Sequence, residues 1–116
     1  MISSQYRFHG QNGIKFVYRR GSSIRNKYCV AKYVVNSKTS TYRVGVVISK
    51  KVAKAAPVRN RIRRRIYEQV RLQAPKYLEN HDVVITIFDS SLAVIPATEI
   101  EQLVKRLLKS ISSAKA

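Results

Sequence analysis

At 116 residues and 13.3 kDa, with 45% of its residues apolar, the chain has room for one domain around one modest core. It carries 23 Lys/Arg against 6 Asp/Glu, a net charge of +17, and its aliphatic and aromatic content excludes a disordered polybasic tail. No apolar run reaches the roughly 18 residues needed to span a bilayer; Met1–Arg7 lacks the apolar stretch of a secretory signal, and the single cysteine, Cys29, excludes an internal disulfide framework and fits a reducing cytoplasm.

The first predicted element is a short helix over 13–20, with Asn12 as its N-cap and Gly21 as its stop. Ile14, Val17 and Tyr18 give it one apolar face, and Lys15, Arg19 and Arg20 surround that face. Tyr28–Val35 is rich in β-branched and aromatic residues and reads as a strand. A turn over 36–40 separates it from a second strand, Tyr42–Ser49, and a further short strand before Tyr42 is compatible with the pattern. Lys50–Val58 is a basic linker. A helix over about 57–74 follows, with Pro57 in its first turn and Pro75 as its end. Ile62, Ile66 and Val70 form its buried seam, flanked by Val58 and Gln69. Val83–Phe88 is a near-continuous apolar run, the pattern of a strand covered on both faces. Pro96 and Thr98 open a last helix. Thr98 and Glu101 are spaced as a capping box, and Ile100, Leu103, Val104, Leu107, Leu108 and Ile111 form its core face. The result is a small α+β sandwich.

The charge is unevenly placed. Residues 1–67 hold 17 of the Lys/Arg and no acidic residue; residues 68–116 hold 6 of each sign. A carboxylate-free stretch of this length repels itself, and a polyanion offsets that cost. A phosphate backbone is the natural partner, with binding that falls steeply as salt rises. A membrane surface is a poorer match, since no segment pairs this charge with a large apolar face. The densest run is Arg59-Asn60-Arg61-Ile62-Arg63-Arg64-Arg65. On a helical wheel Asn60, Arg64, Tyr67 and Arg71 lie about 140–200° from Ile62, so the helix buries an aliphatic seam and fans out guanidinium groups. Like charges at i, i+4 and arginines in the first turns both oppose helix formation. Folding alone does not select that arrangement; bidentate grip on phosphates does.

These residues resemble a known family. Arg43-Val44-Gly45-Val46-Val47-Ile48-Ser49-Lys50-Lys51, a basic spacer, then Arg59-Asn60-Arg61-Ile62-Arg63-Arg64 is similar to the signature of the bacterial ribonuclease P protein subunit, and the resemblance covers about residues 10–110 of a single RNA-binding domain, 1–116. It implies an α-β-β-β-α-β-α sandwich with a small central sheet and a left-handed crossover around the arginine-rich helix. It implies a catalytic RNA as partner, bound 1:1, and precursor tRNA as substrate, whose 5′ leader the ribonucleoprotein removes. The RNA carries the catalysis, with Mg²⁺ held by RNA phosphates and none bound by the protein alone. Two surfaces follow from the resemblance. Lys50, Lys51, Lys54, Arg59, Asn60, Arg61, Arg63, Arg64 and Arg65 would contact the RNA subunit. Ile14, Tyr18, Tyr28 and Lys32 would line a cleft for the leader, Ile14 and Tyr18 standing where the family favours an F-x-x-x-F pair. Phe88-Asp89 departs from the basic residue the family often carries there.

The chain offers little for catalysis of its own. Cys29, His9 and His81 fall in no nucleophile or zinc motif. No Gly-rich phosphate loop is present, and Glu68, Glu79, Asp82, Asp89, Glu99 and Glu101 are dispersed rather than grouped as in a two-metal nuclease. Rival readings are a small ribosomal RNA-binding protein, a duplex-DNA binder using the arginine helix in the major groove, and an autonomous nuclease, for which candidate residues are lacking.

Overall fold

The computed structural model describes residues 11–36 and 41–113; Arg7, His9 and most of the turn read over 36–40 lie outside the described residues. Helix α1 (Gln11–Arg20) leads into a hairpin of β1 (Ser22–Arg25) and β2 (Cys29–Val35), followed by β3 (Arg43–Ile48), α2 (Ala56–Tyr77), β4 (His81–Ile87), a 3₁₀ turn (Ser90–Ala93) and α3 (Ala97–Ser113). The extra strand is therefore β1, directly after α1. The four strands lie in the order β1-β2-β4-β3. β2 is antiparallel to both β1 and β4, whereas β3 runs parallel to β4 and α2 makes the crossover between them.

Alternation along the strands assigns the two faces. Ala31 pairs with Ile85, Tyr33 with Val83 and Val46 with Ile85. These residues, with Ile87 and Val44, pack against Ile62, Ile66 and Val70 of α2 and Ile100, Val104, Leu107, Leu108 and Ile111 of α3. Lys32 pairs with Val84, Val30 with Thr86 and Val47 with Thr86 on the other face, and α1 lies there with Val17 fully buried. β4 is apolar on both sides because helices cover both sides of it, which accounts for its unbroken apolar run. Gly21 makes the close approach of α1 possible: a Cβ there would stand 2.5 Å from the carbonyl of Val17 and 2.9 Å from that of Tyr33.

Four local readings change. Asn12 does not precede α1 as its N-cap, since the helix begins at Gln11 and includes it. Pro75 does not end α2, which runs on to Tyr77. The proline sits exposed in the last turn, where its lost N–H removes one ladder bond, and Leu78 N–H still closes on Ala74 at 2.7 Å. Thr98 is not the N-cap of α3. Helix formation begins one residue earlier, and the N–H groups of Glu99 and Ile100 donate to the Pro96 carbonyl at 3.0 and 3.2 Å. Tyr67 is not on the exposed side of α2. It is buried, and its hydroxyl accepts from the Val46 N–H at 3.1 Å. The sheet and the α3 layer together cover a wider arc of α2 than the Ile62–Ile66–Val70 seam alone indicates.

Candidate nucleic-acid interface

Two basic surfaces flank this core, and the first is the start of α2 with its approach. Lys50, Lys51 and Lys54 are exposed on the linker after β3, and Asn60, Arg61 and Arg64 are exposed on the first turns of the helix. The arginines do not act alike. Arg59 folds back over the linker, Nη1 donating to the carbonyls of Ala53 at 2.7 Å and Lys54 at 2.9 Å. Arg63 Nη1 donates to Asn60 Oδ1 at 3.1 Å, so each side chain orients the other. Arg61 Nε donates to the Ala93 carbonyl at 2.5 Å. Arg65 donates through Nη1 to Leu92 at 2.7 Å and through Nη2 to the carbonyl of Ile95. Burial and the neighbouring Arg61 charge both lower the Arg65 pKa. Among the described residues, Arg64 makes no hydrogen bond or ion pair and stands into solvent. The predicted fan thus divides into arginines that pin the turn between β4 and α3 and arginines that present charge outward. A guanidinium has five donors, so Arg61 keeps most of its own for a ligand.

The second surface is the cleft between α1 and the sheet. Tyr18 is exposed, and its hydroxyl lies 3.0 Å from Thr86 Oγ1 on β4. Lys32 spans the gap from β2: its Nζ donates to the Tyr18 carbonyl at 3.4 Å and stands 5.7 Å from the centre of the Tyr18 ring. Ile14 is half-buried one turn earlier on α1. The structure therefore brings Ile14, Tyr18 and Lys32 to one side of the sheet. It does not bring Tyr28 there. Tyr28 lies just before β2, outside the alternation, packs against the core cluster and places its hydroxyl 3.5 Å from Glu99 on α3. The Asn26 side chain makes this turn by accepting from the N–H groups of Tyr28 and Cys29 at 2.8 and 2.9 Å, an Asx arrangement that redirects the chain.

Phe16, Phe88 and Arg25, none of them among the predicted site residues, belong to the α1 and β1 side of the molecule. Phe16 is 44% exposed on α1, two residues from Tyr18 and so on a different side of the helix. Phe88 is half exposed just past β4, with Arg25 Cζ stacked 4.6 Å from its ring centre. The signal for Phe88 was its two-residue spacing from Thr86; the signal for Arg25 exists only in the register that pairs it with Val30.

Several titratable groups among the described residues have structural partners. Cys29 is buried, and burial pushes its thiol up to about 11. Asp82 is 1% exposed and takes a bidentate grip from Arg43, at 3.0 and 2.8 Å, together with the Asn36 amide at 2.8 Å. Asp89 accepts from the Ser91 N–H at 2.9 Å, which holds its carboxyl below the usual range. Glu68 is paired with Arg71. His81 Nδ1 accepts from the Glu79 N–H at 3.1 Å. Among the described residues, no three His, Cys, Asp or Glu side chains come together as a metal-ligand set, and no helix is long and apolar enough to cross a membrane.

Comparison with known proteins converges on one family. The family model described as Ribonuclease P matches residues 2–112. The ribonuclease P protein component of Clostridioides difficile strain 630 is 37% identical over 93 residues, 80% of each chain. That of Symbiobacterium thermophilum is 31% identical over 108 residues, 93% of this chain and 92% of the relative. Among solved structures, the Staphylococcus aureus RNase P protein superposes with a TM-score of 0.79 over 91% of this chain and 94% of its own, at 23% identity. The Thermotoga maritima RNase P protein gives 0.78 over 90% and 96%, at 21% identity. At such identities these two structures speak to the fold alone.

Proposed function

The chain belongs to the bacterial ribonuclease P protein family, and from that premise we propose that it is the protein component of a tRNA-processing ribonucleoprotein. In this reading it binds a catalytic RNA 1:1 through Lys50, Lys51, Lys54, Asn60, Arg61, Arg63 and Arg64. It holds the single-stranded 5′ leader of precursor tRNA in the cleft of Ile14, Tyr18 and Lys32, and it works in the cytoplasm. The observation that carries this is the division of the arginine helix. Arg64 faces solvent, while Arg61 and Arg65 lock the neighbouring turn in place, so the helix is a pre-formed cationic ridge rather than a mobile tail. A rigid ridge of this kind suits a folded phosphate backbone, since fewer groups lose freedom on binding. The Tyr18–Lys32 pair offers a ring for a base and an ammonium for its phosphate, the combination that grips single strands without regard to sequence.

The RNA performs the cleavage in this proposal, with Mg²⁺ coordinated by RNA phosphates. The protein contributes positive charge that screens phosphate repulsion and contacts that retain the substrate. The deciding experiment is reconstitution: the purified chain is assayed on precursor tRNA alone, with the cognate catalytic RNA, and against that RNA by itself. Leader removal that needs the RNA and is accelerated by the protein at near-physiological salt is expected. Cleavage by the bare chain, or an RNA whose rate ignores the protein, overturns the proposal.

A further inference from the structure

Three cation–ring pairs among the described residues follow one another across the molecule. Lys32 faces the Tyr18 ring at 5.7 Å on the α1 side of the sheet. Arg25 faces the Phe88 ring at 4.6 Å, two residues beyond the Thr86 that meets the Tyr18 hydroxyl. Two residues of strand advance only about 7 Å, so these pairs adjoin. The Phe88 N–H donates to the Tyr28 carbonyl at 3.0 Å, and Lys27 Nζ stands 5.5 Å from the Tyr28 ring centre. Tyr28 in turn opens on a separate cleft of about 660 Å³ between the β1–β2 turn and the start of α3, where Lys27 and Arg106 lie with Glu99 and Gln102.

We propose that this row is one continuous path for single-stranded RNA. The strand seated at Tyr18 and Lys32 passes over the sheet end at Phe88 and Arg25, and enters the cleft beside Tyr28 on the opposite face. There the Tyr28 ring stacks an unpaired base, and Lys27 and Arg106 take the flanking phosphates. The proposal rests on the reading of the α1 cleft as a single-strand site. Each pair joins an apolar ring face to a cation, and the cations stand on flexible stems that can swing to a phosphate as a base takes the ring. Cations outnumber the one carboxylate, Glu99, that lines the second cleft, which favours a polyanion over a basic partner. Glu99 lies against the Tyr28 hydroxyl, so it steadies the ring and leaves acceptor capacity for the amino edge of a base.

The test titrates the full chain with unstructured RNA oligonucleotides of increasing length, comparing wild type with Tyr18→Ala, Lys27→Ala, Tyr28→Ala and Tyr28→Phe. Short strands are expected to bind wild type and Lys27→Ala equally. Above a threshold length, wild type gains affinity; Tyr28→Ala loses about tenfold of it, and Lys27→Ala lowers the salt slope by about 0.7. Tyr28→Phe keeps the ring and binds as wild type, which separates lost stacking from lost folding. If Tyr18→Ala weakens binding while Lys27→Ala matches wild type in affinity and salt slope at every length, the extended path is overturned and the α1 cleft stands. If Tyr18→Ala also leaves binding unchanged, the single-strand reading of the α1 cleft falls with it.

Discussion

Arg65 Nη1 donates to the carbonyl oxygen of Leu92 across 2.7 Å, and Leu92 itself is fully buried. One of the densest charges in the sequence thereby acts as a brace between α2 and the turn before α3. Its neighbour Arg64 makes no such bond among the described residues. The two positions are adjacent in sequence, identical in chemistry and opposite in use.

Substitution separates them. Arg65→Ala takes the donor from two part-buried carbonyls, those of Leu92 and Ile95, and is expected to cost about 1 kcal/mol of stability, read as a fall in Tm or in the denaturant midpoint. Arg64→Ala is expected to leave Tm unchanged and to lower the salt slope of RNA-subunit binding by about one unit. Equal stability of the two variants, or an unchanged slope for Arg64→Ala, counts against the division.

Gly21→Ala should destabilise the protein by about 1–3 kcal/mol, because the new methyl group meets backbone rather than a yielding side chain; the nearest atoms are the Val17 and Tyr33 carbonyls, at 2.5 and 2.9 Å. The same substitution shifts α1 off β2, so leader affinity should fall together with the denaturant midpoint. A variant as stable as wild type would show that α1 does not need this close approach.

Tyr18→Ala is expected to weaken holoenzyme binding of precursor tRNA by about tenfold, the size of one base stack, and to leave mature tRNA binding unchanged. Tyr18→Phe, which loses only the 3.0 Å contact with Thr86, should retain most of the affinity. Equal losses for precursor and mature tRNA would remove the leader from this cleft.

Cys29 gives the alkaline limit. Its thiol pKa is raised from 9.0 to about 11 by burial. A raised folded-state value means the contribution to stability is fully present below pH 9.0 and is lost as the pH climbs through about 11. Native protein should therefore resist iodoacetamide at pH 8 and react once unfolded by denaturant. Rapid alkylation of the native chain would show that the thiol is not shielded.

The chain order of the helices and of β2, β3 and β4, the covered β4 run, the aliphatic seam of α2 and the location of the surplus charge were all legible in the sequence, because each rests on local periodicity or on counting; β1, four residues long and polar but for Ile24, was not placed by its own pattern. The partners of each charge were decided only by tertiary structure. Nothing local distinguishes Arg64 from Arg65; the backbone carbonyls that claim Arg65 belong to residues 27 and 30 positions further on. Tyr67 is read as exposed on a wheel drawn from α2 alone, and is buried because two layers cover that helix. Tyr28 and Lys32 have the parity of one strand face, yet the Asn26 turn ends the strand at Cys29 and sends Tyr28 towards α3. Side-chain period and composition are properties of a segment, so the sequence holds them. Which face is covered, and which donor meets which acceptor, depends on what packs against that segment from far along the chain.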